Sequence, residues 1–427
     1  MTLVLTSIFV LAYLAIALEG PLRVNKSATA LLGAGLLWTA YALLAGDATA
    51  VNRELSDSLV GTAQIVFFLI AAMAIVEVID AHDGFEVLTT AIQTRRLSHL
   101  MWLVGLFTFF LSAILDNLTT TIVMVSLMKR LLAERQDRLT FAGLIVIAAN
   151  AGGAWTPIGD VTTTMLWIGG QVTTRAIMQG VFLASIVNLL VPLFVAAWLA
   201  GQRAVVAPAK ADPSDVLTTT PFERTVVLAV GLATLVLVPV FKALTHLPPF
   251  LGILLGLGVL WMVADLMHRR KDEEQKRHLT LVSALARIDM GSIVFFIGIL
   301  LAVAVLEHSH VLAALAHWLD ASVGRLDLIV LVIGLASAVV DNVPLVAASM
   351  GMYDLARYPA DHFLWEFMAY CAGTGGSILI IGSAAGVAAM GLERMDFMGY
   401  LRKTSALALA GYLAGALVYL AQYRWLH

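Results

Sequence analysis

Apolar stretches long enough to cross a hydrocarbon core recur from one end of the chain to the other, separated by short polar segments. A helix needs about 20 predominantly apolar residues to cross, and the hydropathy pattern predicts spans at roughly 2–19, 27–45, 60–80, 141–168, 178–201, 222–240, 250–267, 291–308, 362–390 and 404–423. The first, MTLVLTSIFVLAYLAIAL, lacks the positive start and small-residue cleavage site of a signal peptide, so a retained span is expected. Two further apolar segments, 98–128 and 326–353, do not fit one crossing each. As one helix the first would run roughly 46 Å, well beyond a core of about 30 Å. Asp116 and Asn117 stand at its middle, as Asp341 and Asn342 do in the second. Broken there, each becomes a re-entrant hairpin with an Asp-Asn pair at its tip.

The same words return in the same order. LLGAGLLW at 31–38 is echoed by LLGLGVLW at 254–261, IVFF at 65–68 by 293–296, and SAILDN at 112–117 by SAVVDN at 337–342. A glycine-rich interruption repeats too, with Gly152, Gly153 and Gly159 in register with Gly375, Gly376 and Gly382. Each match alone is weak in so apolar a chain, but four at nearly constant offset describe a duplication. The two copies, 1–201 and 222–427, are joined by a polar, proline-containing linker at 202–221, expected on the cytoplasmic side.

Charge sets the expected orientation. With both Asp-Asn segments as hairpins, the basic residues gather on one side, leaving only Arg53, Arg175, Lys242, Arg325, Arg357 and Arg424 on the other. Arg23, Lys26, Arg95, Lys210 and the run 268–278 (HRRKDEEQKRH) all fall in the basic loops. Reading the first hairpin as a crossing would scatter these charges. Each copy then crosses five times, so the second lies upside down, and both termini are expected outside the cytoplasm. Composition agrees: 60% of the 427 residues are hydrophobic, 13% are charged, and mean hydropathy is +0.91. The fold class expected is an all-α polytopic membrane protein of inverted repeats, each with a hairpin and a broken helix. No basic patch with interleaved aromatics suggests nucleic acid, and a single cysteine, Cys371, leaves no disulfide framework.

The polar residues at the interruptions are the candidate chemistry. Ser112, Asp116 and Asn117 on one tip, and Ser337, Asp341 and Asn342 on the other, offer the hard oxygens that suit a small cation. Na⁺ is expected at Asp116, Asn117, Asp341 and Asn342. Asn150, Asp160, Thr162 and Thr163 flank the first glycine break; Gly373, Ser383, Ala385 and Gly386 occupy those places in the second. An aspartate that only caps the next half-helix is the simpler alternative at each site. Glu77 and Glu307, each near a histidine (His82 and His308), lie close enough to span ends to be solvated. Glu77 is deeper and is the better candidate for a proton-linked role. Asp265, Asp80 and Glu19 read as interfacial charges, and the Gly33/Gly35 and Gly256/Gly258 pairs as close helix contacts.

Duplicated Asp-Asn hairpins with twin glycine-broken helices resemble the ion transporter superfamily, and within it the chain is similar to the NhaD family of sodium/proton antiporters. The resemblance implies a homodimer in the bilayer, with scaffold helices at 1–45 and 222–267. Mobile transport elements would lie at about 60–201 and 291–427, working by an elevator motion. It implies functional roles for Asp116, Asn117, Asn150, Asp160, Thr162, Thr163, Ser337, Asp341, Asn342 and Ser377, and more loosely Glu77. No cofactor is implied beyond the transported Na⁺ or Li⁺ and H⁺, and a bacterial inner membrane is the expected location. Carboxylates that take up either a cation or a proton would exchange one for the other. The alternatives are a carrier of a carboxylate, arsenite or another small anion on the same fold, and an ion channel. An intramembrane aspartyl protease leaves the duplicated tips unexplained, so no enzyme is expected.

Overall fold

A computed structural model describes residues 1–17, 23–85, 94, 96–206, 219–269, 271–272, 276, 278–339, 341–395 and 397–426. Glu19, Arg95, Lys210, Arg270, Arg277 and most of the 202–221 linker lie outside the described residues. Among the described residues the regular structure is helical, apart from an isolated bridge between Arg96 and Ala204.

The first copy comprises α1 (Thr2–Ala17), α2 (Lys26–Ala45), α3 (Ala48–Ala81), α4 (Leu97–Ser112), α5 (Asn117–Leu131), α6 (Arg135–Ala154), α7 (Val161–Ile168) and α8 (Thr174–Ala200). The second comprises α9 (Pro221–Thr245), α10 (Pro249–His268), a short α11 (Leu281–Leu285), α12 (Met290–His308) and α13 (Val311–Val323). It continues with α14 (Leu326–Ala336), α15 (Asn342–Met352), α16 (Phe363–Gly375), α17 (Ala384–Glu393) and α18 (Phe397–Trp425), which holds a π-helical turn at Leu401–Ser405. Seven of the described helices are long and apolar enough to cross a membrane. The chain is therefore a polytopic helical membrane protein. Large side chains such as Leu3, Leu43, Trp198, Leu244 and Leu417 stand exposed on the outer faces, as a surface bathed in hydrocarbon requires.

All four expected interruptions are present, at 113–116, 155–160, 337–341 and 376–383. Two helices exceed the sequence expectation. α3 begins at Ala48 rather than near residue 60, because Asp47 caps it through the amides of Thr49 and Ala50 and its polar first turns extend the apolar span. α13 occupies a segment between the expected spans; it is apolar, but at 13 residues it is too short to cross.

Packing divides the helices into two groups. α1, α2, α3, α9, α10 and α12 pack on one another, with α2 against α12 and its repeat counterpart α10 against α3. Ser27 donates to the Gly291 carbonyl at 2.7 Å and the Trp38 indole to the Leu301 carbonyl at 2.9 Å, fixing α2 on α12. The second group holds α4–α8 and α14–α18. Here too contacts come in matched pairs: α4 with α6 and α14 with α16, α5 with α17 and α15 with α7. The groups meet where α3 touches α7 and α12 touches α15.

The glycines explain how the broken segments fit. A Cβ on Gly152 would lie 2.1 Å from the Phe109 carbonyl oxygen, and one on Gly375 would lie 1.9 Å from that of Gly334. Gly153 and Gly376 would meet the carbonyls of Gly159 and Gly382; Gly159 and Gly382 would meet those of Ser112 and Ser337. Each glycine of one copy and its partner in the other press on backbone atoms at the corresponding positions. No side chain fits in those gaps, so the glycines seat each tip against its broken helix.

Candidate functional site

Seven polar side chains, contributed by all four interruptions, meet in the interior. Asn117, the first residue of α5, donates from Nδ2 to Asn150 Oδ1 at 2.9 Å and to Asp160 Oδ1 at 3.1 Å. Asn150, near the end of α6, passes the network to the other copy, donating to Ser377 Oγ at 2.8 Å and Ser383 Oγ at 3.0 Å. Asn342, first residue of α15, reaches Asp160 Oδ2 at 3.5 Å, a limiting distance, and the Thr162 hydroxyl also donates to that oxygen. All of these side chains are buried, with Asn150 and Thr162 fully so.

Asp160 is the centre of this arrangement. It stands at the N-cap position of α7, yet its side chain makes no capping bond to that helix. Its carboxylate instead accepts from an amide of each tip and from a hydroxyl, all neutral donors. Its repeat counterpart, Ser383, does cap α17, accepting from the Gly386 amide. Gly373, the counterpart of Asn150, is small because the space above it is taken: a Cβ there would lie 3.3 Å from Asp160 Oδ2. The duplication has thus left one carboxylate where the two copies meet.

The two tip aspartates do not join this network. Asp116 caps α5, accepting from the Thr119 amide at 2.8 Å with Oδ1 and from the Thr119 hydroxyl at 2.6 Å with Oδ2. It borders a cavity of about 60 Å³ at the seam between the helix groups, facing Leu69, Met73 and Val76 of α3 and Ser292 and Phe296 of α12. Asp341 caps α15 through the Val343 amide at 3.2 Å, and its Oδ2 pairs with Lys26 Nζ at 3.0 Å. The residue corresponding to Thr119 is Pro344, which has neither N–H nor hydroxyl to offer. The second oxygen of Asp341 is left for a partner from elsewhere in the fold.

Of the other expected residues, Ser112 and Ser337 fasten the tips. Ser112 donates to the Ala149 carbonyl at 2.6 Å, Ser337 to the Ala372 carbonyl at 3.1 Å and to Gly334 at 2.8 Å. Thr163 points back to the Ala154 carbonyl at 3.4 Å. Glu77 is remote from the network: partly exposed, it pairs with Arg287 at 3.3 Å. His82 stacks on His268 rather than on Glu77, their Nε2 atoms 2.8 Å apart, and His308 meets Ser58 at 3.0 Å. Sequence reasoning placed Lys26 among the charges that set orientation and saw Ser383 only as the residue opposite Asp160. A signal for Lys26 existed in Pro344, which denies Asp341 the local bonds that Asp116 enjoys.

A polytopic helical protein whose interrupted helices converge on buried polar groups belongs to the class of membrane transporters, and comparison with known proteins agrees. Residues 13–373 match the family model described as "Citrate transporter". The chain is 51% identical over 416 residues to "Sodium/proton antiporter 1" of Arabidopsis thaliana, covering 97% of this chain and 71% of the relative. It is 46% identical to "Sodium/proton antiporter 2" of the same plant, covering 97% and 98%. It is also 31% identical to "Na(+)/H(+) antiporter NhaD" of Alkalimonas amylolytica, covering 97% and 89%. The chain belongs to the NhaD antiporter family. Like its relatives it is a transporter and not an enzyme.

Proposed function

We propose that the chain exchanges Na⁺ or Li⁺ for protons across its membrane, with Asp160 as the carboxylate for which the two ions compete. The observation that carries this reading is the carboxylate itself: buried, shared by an amide from each tip, and answered only by neutral donors. A bare carboxylate in a water-poor site is costly, so it holds either a cation or a proton, and alternation between the two is exchange. Asn117, Asn342, Thr162 and the hydroxyls of Ser377 and Ser383 add the hard oxygens that a small cation prefers. Asp116 and Asp341 supply negative charge along the approach rather than at the centre.

The two packed groups suit an elevator. In this reading α1–α3, α9, α10 and α12 form the scaffold, and α4–α8 with α14–α18 move against it. That puts the division after α3 and after α12 instead of near residues 60 and 291, because α3 and α12 pack chiefly within the first group. The two copies would lie inverted in the bilayer, with both termini away from the cytoplasm, and two chains would pair through the scaffold. An inward proton gradient would then drive Na⁺ out.

The family model's description raises a second reading, an anion carrier. A citrate-like anion would meet Asp116 and Asp160, and the lysine at the tips is already engaged by Asp341. The test is purified protein in liposomes holding a pH-sensitive dye, challenged in turn with Na⁺, Li⁺, K⁺, succinate and citrate. Na⁺- or Li⁺-dependent proton flux that vanishes in Asp160→Asn is expected. Citrate-driven flux, or cation flux that survives in Asp160→Asn, overturns the assignment.

A further inference from the structure

The ion pair between Lys26 and Asp341 connects residues 315 positions apart and crosses the seam between the helix groups. Lys26 opens α2, whose Asn25 cap accepts from the Ser27 amide at 2.8 Å, and α2 is fixed to α12 in the first group. Asp341 is the tip of a broken segment in the second group. The lysine is placed against its own helix: a positive charge at an N-terminus meets the positive end of the helix dipole, so this position is unfavourable unless something else answers the charge. Two things do. The Asp341 carboxylate lies 3.0 Å away, and the Phe295 ring of α12 lies beneath the ammonium at 4.6 Å. Lys26 has no repeat counterpart with the same chemistry, since Pro249 opens α10. Among the described residues no lysine pairs with the other tip: both Asp116 oxygens accept from Thr119.

Resting on the cation-exchange reading, we propose that Lys26 is a cation built into the chain that competes with the transported ion for Asp341. While the ammonium sits on Asp341, the second tip is neutral and tied to α2 and α12. A small cation that reaches the tip displaces the ammonium, which releases the tip from the first group and frees the second group to move. Lys26 is thus a specificity-determining and positioning residue: it sets how much cation is needed before the tip lets go. The pair is only partly exposed, with side-chain accessibility of 27% for Lys26 and 15% for Asp341, so solvent screening leaves the competition effective. Lys242 provides an internal control. It too crosses the seam, from α9 to the Trp167 carbonyl of α7 at 2.7 Å, lying over the Trp167 ring at 4.3 Å. It holds a backbone oxygen at the far end of α7, away from the tips.

The test is Na⁺-dependent proton flux in liposomes as a function of Na⁺ concentration, for wild type, Lys26→Gln, Lys26→Arg and Lys242→Gln. Removing the competitor in Lys26→Gln is expected to lower the KM for Na⁺ about fivefold to tenfold. A guanidinium, which grips a carboxylate with two donors, is expected to raise it severalfold in Lys26→Arg. Lys242→Gln is expected to keep the wild-type KM within about twofold. A KM unchanged by either Lys26 substitution, a shift of the same sign in both, or an equal shift in Lys242→Gln overturns the proposal while leaving the exchange reading standing. If Lys26→Gln fails to insert, Lys26→Arg alone decides, and an unchanged KM overturns it. A wild-type protein with no cation-dependent proton flux overturns the exchange reading, and this proposal with it.

Discussion

The two tips begin with nearly the same letters, SAILDNLT and SAVVDNVP, and end with different chemistry. At the first, Asp116 is satisfied within its own turn of helix by the amide and hydroxyl of Thr119. At the second, Pro344 withholds both bonds, and Asp341 reaches across the molecule to Lys26. The difference lies three residues beyond the aspartate. A duplicated motif therefore fixes a backbone shape, a break followed by a capped half-helix, without fixing what the carboxylate does. The residues that do behave alike are the asparagines: Asn117 and Asn342 both turn inward and both meet Asp160.

The sharpest way to break this comparison is to remove what the tips share. Asp160→Asn takes away the carboxylate common to both, and proton-coupled cation flux should fall by at least about 100-fold in liposomes. The folded fraction, read by gel filtration in detergent, should stay near wild type, since an amide can still bond to Asn117. Asp116→Asn and Asp341→Asn should each cost less flux than this, because neither carboxylate lies in the network.

The seating of the tips tests the symmetry itself. Gly152→Ala and Gly375→Ala each drive a methyl into a carbonyl, at 2.1 and 1.9 Å, and should destabilise the protein by about 3 kcal/mol or more, to a similar extent. Gly373→Ala, whose methyl would first meet Ala154 at 3.2 Å, should fold more readily. Thermal unfolding of the purified proteins separates these outcomes, and a large difference between Gly152→Ala and Gly375→Ala would show that the copies do not carry equal loads.

Converting one tip into the other should have a smaller effect. Thr119→Pro strips Asp116 of its local partners with no lysine to replace them, at a cost of about 1–3 kcal/mol in stability. Pro344→Thr gives Asp341 a local partner and should bring the KM for Na⁺ toward that of Lys26→Gln. The smallest effect belongs to Glu77→Gln, which loses a partly exposed ion pair with Arg287 worth about 0–1 kcal/mol; flux should change by less than about twofold. A large loss there would restore Glu77 to the proton pathway.

Much of the fold was legible along the chain. Segment length forced breaks at Asp116 and Asp341, and the recurring glycines located the other two interruptions, because both features are local and repeat in register. The inward-facing Asn117, Asn150, Asp160 and Ser377 were legible as polar residues at those breaks. The partners were not. Hydropathy reads Lys26 as one more loop charge, since nothing within its own segment announces a carboxylate 315 residues away. Nor does spacing distinguish an aspartate that caps its helix from one that leaves the cap to bond elsewhere. Asp116 and Asp160 both sit at N-caps, and only the first uses the position. The start of α3 was missed for a related reason: Asp47 nucleates a helix that a hydropathy window cannot see.

The glycine contacts have a consequence for how such a molecule could change over time. At each break the glycines bring main-chain atoms of the tip and its broken helix together, oxygen against α-carbon, and the hydroxyls of Ser112 and Ser337 fasten the same joint. The joint therefore depends on these glycines and serines and not on the tip aspartates or on the residues that answer them. Substitutions at the tips can alter charge, cap or partner without disturbing the joint on which they are mounted. An ancestral pair of identical halves could in this way have become a lysine-bound tip and a self-capped one while remaining the same machine.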